Sequence, residues 1–467
     1  MQKAPIKFGT DGWRGVIADD FTFENVQRVA QATADYWNSL VGTQRVALVG
    51  YDNRFLSEVY AKLVCEVLAA NGIHPLYPAT AMPTPSVTYA VRDRKLAGAV
   101  MITASHNPPQ FNGYKLKAHY AGPADPALCQ DVEALVDKSP VRTMPFEQAA
   151  EIYDPRPAHI AAIKKRVDLP AIRRAKLRAV FDSMHGCGGR LLEELAGGTT
   201  IRAERDPLFG GVNPEPTGRN LGALGAAVKK ARAHIGLATD GDADRLGVVD
   251  NAGRYVSIQL VFAVLLLHLL RHRGETTGWV VKSANSSFLI DRICQAHGLK
   301  CVEVPVGFKH ICKQMRETDV LIGGEESGGL GFRGHIPERD GILANLMLLE
   351  LLAVARKPFT RLLADVQKEF GASAYDRIDM PYPLEKRDRL IETLRRDPPR
   401  ALLGVPLAKM KDSDGVKYIA KDDSWLMFRT SGTEPIIRIY SEASSAARVS
   451  KLLAYGRERA LNIARTK

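Results

Sequence analysis

Short apolar runs of strand length recur along the chain, each followed by a polar loop and then by a stretch with helical spacing. Ala97 to Ile102 is one such run. It leads into Thr103-Ala104-Ser105-His106-Asn107, where Pro108-Pro109 bars a helix from starting at once. Arg45 to Gly50 leads into Tyr51-Asp52-Asn53-Arg54, and Ser57 to Ala70 then has helical periodicity. Lys176 to Phe181 precedes Asp182-Ser183-Met184-His185-Gly186, and His234 to Ala238 precedes Thr239-Asp240-Gly241-Asp242-Ala243-Asp244-Arg245. Trp279 to Lys282 precedes Ser283-Ala284-Asn285-Ser286, and Asp319 to Ile322 precedes Gly323-Gly324-Glu325-Glu326-Ser327-Gly328-Gly329. Repetition of strand, loop and helix predicts α/β layers with ligands at the carboxyl ends of the strands.

The pattern is interrupted three times. Asp154-Pro155-Arg156-Pro157 reads as a linker, Asp250-Asn251-Ala252-Gly253 as a turn before a long helix from near Ile258, and Phe370-Gly371-Ala372-Ser373 as a third seam. With 467 residues the chain is too long for one core, and these seams divide it into 1–153, 154–255, 256–371 and 372–467. From about Tyr375 the character changes to short strands, a helix at Lys386 to Arg396, a hairpin at Asp412 to Lys417 and a closing helix, which predicts a smaller α+β domain.

Composition narrows the class. Hydrophobic residues at 45% and charged ones at 25% describe a soluble globular protein. The longest apolar stretch, Leu260 to Leu270, includes His268 and is too short to span a bilayer, so no membrane role is expected. The segment Met1-Gln2-Lys3-Ala4-Pro5 lacks the apolar core of a signal peptide, so a cytoplasmic location is expected. Six cysteines without a CxxC pair read as free thiols. The net charge of +12 suits anionic ligands, either nucleic acid or phosphorylated small molecules. Clusters such as Lys164-Lys165-Arg166 lie in amphipathic contexts that a solvated helix face explains, and no aromatic-basic stripe points to nucleic acid.

Four loops carry candidate chemistry. Ser105, a hydroxyl at a strand's carboxyl end beside His106 and Asn107, is placed as a nucleophile, although a serine turn before proline has the same local pattern. Asp240-x-Asp242-x-Asp244 puts three carboxylates on one side of an extended loop, the oxygen donors a hard divalent cation requires. An EF-hand would need Gly at the sixth position and Glu at the twelfth, where Arg245 and Asn251 stand. Arg245 suits a phosphate beside the cation or a salt bridge to the aspartates. Glu325 and Ser327, on a glycine-flanked loop, suit paired contacts to sugar hydroxyls or form a solvated turn. Arg429-Thr430-Ser431-Gly432-Thr433 follows the strand-like Ser424 to Phe428 and reads as a phosphate cradle or a hairpin turn. Near the N-terminus, Phe8-Gly9-Thr10-Asp11-Gly12-Trp13-Arg14-Gly15 has the glycines and the cation of an anion-approaching loop, and Lys115 is close enough in sequence to return toward Ser105.

Taken together, Thr103-Ala-Ser-His-Asn-Pro108, Asp240-Gly-Asp-Ala-Asp-Arg245, Gly324-Glu-Glu-Ser-Gly328 and Arg429-Thr-Ser-Gly-Thr-Glu-Pro435 occur in the order seen in the α-D-phosphohexomutase superfamily. Phe8 to Gly15 resembles its N-terminal motif. The resemblance implies three similar α/β/α domains and a smaller C-terminal α+β domain around a central active-site cleft. It implies that Ser105 is the phosphorylated serine and that Asp240, Asp242 and Asp244 hold Mg²⁺ beside its phosphate. Glu325 and Ser327 would bind sugar hydroxyls, and Arg429, Ser431, Gly432 and Thr433 would hold the non-reacting phosphate. Arg14, His106, Lys115, Arg245 and Lys282 would surround the transfer, with Lys115 or His106 as general base. The implied partners are hexose monophosphates and a hexose 1,6-bisphosphate, handled by a monomer or homodimer.

Among hexoses, Glu325-Glu326-Ser327 and Gly12-Trp13-Arg14 look more like phosphoglucomutases than phosphoglucosamine mutases, and Phe308 stands where bifunctional phosphomannomutases tend to have His. Glucose is therefore the expected sugar. Sister enzymes for mannose or glucosamine phosphate, a Mg²⁺-dependent sugar phosphatase and a non-catalytic basic binding protein are the competing readings.

Overall fold

The computed structural model of the chain describes residues 6–40, 42, 44–430 and 435–465. Four sheets follow one another along the chain. The first runs Trp13–Val16, Phe111–Ala118, Gly98–Ile102, Val46–Tyr51, His74–Tyr77, Glu151–Ile152, with Gly122–Pro123 added beside Phe111–Ala118. The second runs Tyr255–Val256, Leu246–Asp250, Ile235–Thr239, Ala179–Asp182, Thr199–Ile201, and the third Lys300–Val304, Trp279–Ser283, Val320–Gly324, Leu330–Phe332. The fourth is antiparallel throughout: Ala374–Pro381, Ile436–Ala443, Trp425–Thr430, Val416–Ala420, Val405–Lys411, Ala401–Leu402.

The first three sheets share one device. A parallel strand ends in a polar loop and the chain turns back as an antiparallel neighbour: Gly98–Ile102 into Phe111–Ala118, Ile235–Thr239 into Leu246–Asp250, and Val320–Gly324 into Leu330–Phe332. These three loops carry Ser105, the aspartate triplet and Glu325. The pattern of strand, loop and helix expected from the sequence holds where Val46–Tyr51 precedes the helix Ser57–Ala70, Ala179–Asp182 precedes Leu191–Ala196 and Trp279–Ser283 precedes Phe288–Ala296. It fails at the three chemical loops. There the following segment, buried along its length, satisfies its backbone by pairing with the strand just left.

Two helices, Ile258–Arg271 and Gly341–Ala355, are buried almost all round. Such helices belong inside a core rather than on a surface. Gly341–Ala355 packs on Leu169–Arg174 and Leu191–Ala196 as well as on Ile258–Arg271, so the second and third sheets share one continuous core. The first sheet has separate clusters on its two faces, and the fourth packs its own core under the closing helix Ala446–Arg465. The linker expected at 154–157 is shorter in the structure. The helix Arg156–Arg166 begins inside it, with Pro157 in the first turn, where no intrahelical N–H is required. All six cysteines are free thiols, and no helix among the described residues is long and apolar enough to cross a membrane.

Candidate active site

Ser105 is buried, with its backbone in the left-handed region at φ 53°. For a non-glycine residue that conformation costs roughly 1–3 kcal/mol and persists only where the surroundings impose it. Here they do. The Ser105 N–H donates to Thr103 Oγ1 at 2.8 Å, and Thr103 Oγ1 donates to Asp52 Oδ2 at 2.6 Å. Arg54, buried and paired with Asp52 at 3.2 Å, donates to the carbonyls of Ser105 and Asn107 at 2.6 Å each, of Pro108 at 2.8 Å and of Phe111 at 3.1 Å. From the other side Gly241 presses against the loop, where a Cβ would come within 2.5 Å of the Ser105 carbonyl oxygen.

The loop of the second sheet meets this hydroxyl. Ser105 Oγ donates to Asp240 Oδ2 at 2.8 Å, and His106 Nδ1 lies 3.4 Å from the same Oγ. One oxygen from each of Asp240, Asp242 and Asp244 falls within 4.8 Å of the others, and all three residues are buried. The loop is held by backbone bonds from three directions: Thr84 N–H to the Asp242 carbonyl at 2.9 Å, Leu246 N–H to the Gly328 carbonyl at 3.0 Å and Gly341 N–H to the Ala243 carbonyl at 3.1 Å.

Cations surround the carboxylates. Lys115 Nζ lies 2.8 Å from Asp242 Oδ2, 2.9 Å from Asp11 Oδ2 and 3.6 Å from Asp244 Oδ2. Arg339 Nη2 lies 2.6 Å from Asp11 Oδ2 and 2.7 Å from Asp244 Oδ2, and its Nη1 is 3.5 Å from Glu325 Oε2. Burial first, then the Asp242 and Asp244 carboxylates, push Asp240 well above the usual carboxylate range. Burial also opposes ionisation of Asp242, but Lys115 and the Thr84 hydroxyl overcome it and hold Asp242 low. Burial works against the Lys115 charge too, yet Asp11 and Asp242 keep the ammonium protonated. His106 is driven the other way, held neutral by burial and by Arg245, Arg14 and Lys115.

A hard cation fits this place. Asp242 Oδ1 and Asp244 Oδ1 are buried without a hydrogen-bond partner, an arrangement that costs free energy unless a positive charge takes up those oxygens. The donors are all oxygen, as such a cation requires.

The other expected residues differ in their partners. Arg14 Nη1 donates to Asn107 Oδ1 at 2.6 Å, and Arg245 Nε lies 3.8 Å from Asp244 Oδ1 and 4.0 Å from Asp240 Oδ2. Glu325 accepts from Gly307 N–H at 3.0 Å and is pushed up by burial despite Arg339, while Ser327 is half-buried beside it. Arg429 Nε is shared between Asp414 Oδ1 at 3.1 Å and Oδ2 at 3.0 Å. Lys282 stands apart, its ammonium bonded to Asp291 and, at 2.9 Å, to the Ser287 carbonyl. Ser431, Gly432 and Thr433 lie outside the described residues.

Sequence reasoning assigned no role to Asp52, Arg54, Thr84, Asp11 or Arg339, which build the scaffold. One signal was available for Arg339. Glu338-Arg339-Asp340 is a charged triplet directly before an apolar helix, and charges so placed are buried only if paired.

Known proteins share this organisation. Residues 5–142, 157–253 and 259–370 match phosphoglucomutase/phosphomannomutase alpha/beta/alpha domains I, II and III, and residues 384–458 match the C-terminal domain of the same family. A phosphoglucomutase/phosphomannomutase of Thermococcus kodakarensis is 31% identical over 462 residues, covering 96% of this chain and 97% of that protein. A provisionally named phosphoglucosamine mutase of Pyrococcus abyssi is 30% identical, with 96% of each chain covered. The crystal structure of a provisionally named phosphomannomutase from Thermus thermophilus is 37% identical and superposes with a TM-score of 0.86, over 98% of this chain and 99% of that one. The chain belongs to the phosphoglucomutase/phosphomannomutase family of the α-D-phosphohexomutase superfamily and is a phosphohexomutase.

Proposed function

We propose that the protein interconverts glucose 1-phosphate and glucose 6-phosphate through a phosphorylated Ser105 and a bound glucose 1,6-bisphosphate. The observation that carries this reading is the Ser105 hydroxyl, 2.8 Å from Asp240 within a buried carboxylate triplet that has two unpartnered oxygens. In this reading Asp240, Asp242 and Asp244, with the seryl phosphate, hold Mg²⁺, which supplies neutralising charge for the transferring oxygens when bound.

The chain's own groups do the rest. Phosphoserine passes its phosphoryl group to the free sugar hydroxyl: a P–O bond to the sugar forms as the bond to Ser105 Oγ breaks. The hydroxyl proton goes to a nearby base and from there to the departing Ser105 Oγ, which is left as a hydroxyl. Neutral His106 is ready to accept it, whereas Lys115, held as an ammonium by Asp11 and Asp242, first stabilises phosphoryl charge. The bisphosphate then turns over and returns its other phosphoryl group to Ser105. Glu325 and Ser327 grip the hydroxyls in both orientations, while Arg429 with Ser431, Gly432 and Thr433 holds the idle phosphate. Arg14 and Arg245 flank the reacting phosphoryl group.

Phe308 supports glucose over mannose. Its ring is packed among Val281, Val304, Ile311 and Val320, so this position presents a buried hydrocarbon where related mannose enzymes tend to have imidazole. The four functional units are taken as 1–153, 154–255, 256–371 and 372–467, acting in the cytoplasm as a monomer or homodimer. Steady-state kcat/KM on glucose, mannose and glucosamine 1-phosphates tests the sugar, with glucose expected highest; a clear glucosamine preference would sink the assignment. Free phosphate released as fast as substrate is consumed would favour a phosphatase instead.

A further inference from the structure

Away from the aspartate triplet, three residues from separate segments close on one point. His159 lies on the helix Arg156–Arg166, His335 in the loop after Leu330–Phe332, and Asp340 caps the helix Gly341–Ala355. His159 Nε2 and His335 Nε2 both hydrogen-bond the same atom, Asp340 Oδ2, at 2.7 Å and 2.9 Å. His159 and Asp340 are fully buried and His335 is 7% exposed.

We propose that His159, His335 and Asp340 form a buried three-ligand site for one borderline transition ion of the Zn(II) class. All three offer one ligand atom within 4.8 Å of the others. Two imidazoles and a carboxylate suit Zn(II) and its first-row neighbours, whereas the all-oxygen triplet at Asp240, Asp242 and Asp244 suits a hard cation. The ring centroids of His159 and His335 are 5.8 Å apart. Two imidazoles on one tetrahedral ion, with metal–nitrogen bonds of about 2.0–2.1 Å, place their centroids roughly 5–6 Å apart.

Neighbouring groups orient two of the three ligands. Ser86 Oγ meets His159 Nδ1 at 2.8 Å, leaving Nε2 as the inward nitrogen, and Asp340 Oδ1 accepts from Leu343 N–H at 3.0 Å, leaving Oδ2 inward. Tyr89, on the helix Thr84–Asp93, lies alongside both histidines, its ring centroid 5.9 Å from each. An ion here ties that helix of the first unit to the second and third. It also anchors the chain one residue from Arg339, whose guanidinium reaches Asp11 and Asp244.

The test compares the full-length protein with His335→Ala and His159→Gln. Each is stripped with a chelator, equilibrated with Zn(II) in a large excess of Mg(II), dialysed, and assayed for zinc per chain. The wild type is expected to retain one equivalent more than either variant. X-ray absorption at the zinc edge of the wild type, which needs no variant to fold, is expected to show imidazole back-scattering. Equal zinc in all three proteins, no retained zinc, or an all-oxygen shell would each overturn the proposal. None of these readouts uses mutase activity, so the result stands apart from the sugar and from the role of Ser105.

Discussion

The carbonyl oxygen of Ser105 accepts a 2.6 Å hydrogen bond from Arg54 Nη2, and the same guanidinium also holds the carbonyls of Asn107, Pro108 and Phe111. One buried cation thus fixes the strained turn on which the Ser105 hydroxyl sits. A lysine keeps the charge but not the planar fork that spans four acceptors. Arg54→Lys should therefore lower kcat by roughly 10–100-fold with a smaller change in KM, because a displaced nucleophile loses orientation rather than binding. Steady-state kinetics alongside far-UV circular dichroism checks this, and an unchanged kcat in a folded variant refutes it.

Ser105→Ala should abolish turnover while leaving the thermal unfolding midpoint near that of the wild type, since the hydroxyl's one strong bond is to Asp240. Intact-protein mass should show a phosphate on the wild type that maps to the Ser105 peptide and is missing from the variant. Near-normal activity would remove the central assignment.

Asp242 supplies one of the unpartnered buried oxygens and is the aspartate that Lys115 approaches at 2.8 Å. Asp242→Asn keeps the shape and removes the charge. The Mg²⁺ concentration for half-maximal activity should rise by at least about ten-fold, while the KM for sugar phosphate shifts far less. An unaltered Mg²⁺ requirement would count against the aspartate loop as the metal site.

Arg339 lies within ion-pair distance of Asp11, Asp244 and Glu325, which come from three different segments. Arg339→Met leaves those buried carboxylates without their shared partner, a change that costs about 3–5 kcal/mol when a buried pair is broken. Chemical denaturation should show that loss, and kcat/KM should fall with it. Arg339→Lys should restore part of the stability but less of the activity, since one ammonium cannot serve three carboxylates at these distances.

Glu350 joins the two halves of the shared core through His268 Nε2 at 3.1 Å, Arg273 Nη1 at 2.6 Å and the Asp168 N–H at 2.7 Å. Burial alone would raise its pKa, but these partners bring it down to about 2 from an ordinary 4.5. A depressed carboxylate contributes stability above its unfolded value and loses it as pH falls through its folded one. Its share, at most roughly 3 kcal/mol, should therefore disappear between about pH 4.5 and pH 2. Glu350→Gln should be less stable than the wild type at pH 7, and the gap should narrow across that window. Denaturation at stepped pH measures it; a constant gap would mean the carboxylate's charge is not the cause.

Much of this protein can be read one loop at a time. The run Ala97 to Ile102 and the proline pair place Ser105 at a strand's end, and the alternate aspartates show a set of oxygen donors suited to a hard cation without any partner. The hairpin return after each chemical loop was not legible, because an apolar run of five residues does not reveal whether it pairs backward or starts a helix. Nor was Lys282's partner. Its place after a strand is local, but its engagement by Asp291 depends on how the next helix docks.

Which chemical groups the protein possesses, and in what order, was decided by the sequence alone, because motif spacing within a loop is local. Which groups act on one another was decided only by the tertiary structure. Asp11, Lys115, Asp242 and Arg339 lie far apart along the chain, on a strand and on segments flanking strands of three different sheets, and they converge only when those sheets pack together. Buried there, away from water, each charge needs the others, and that mutual requirement sets their protonation states.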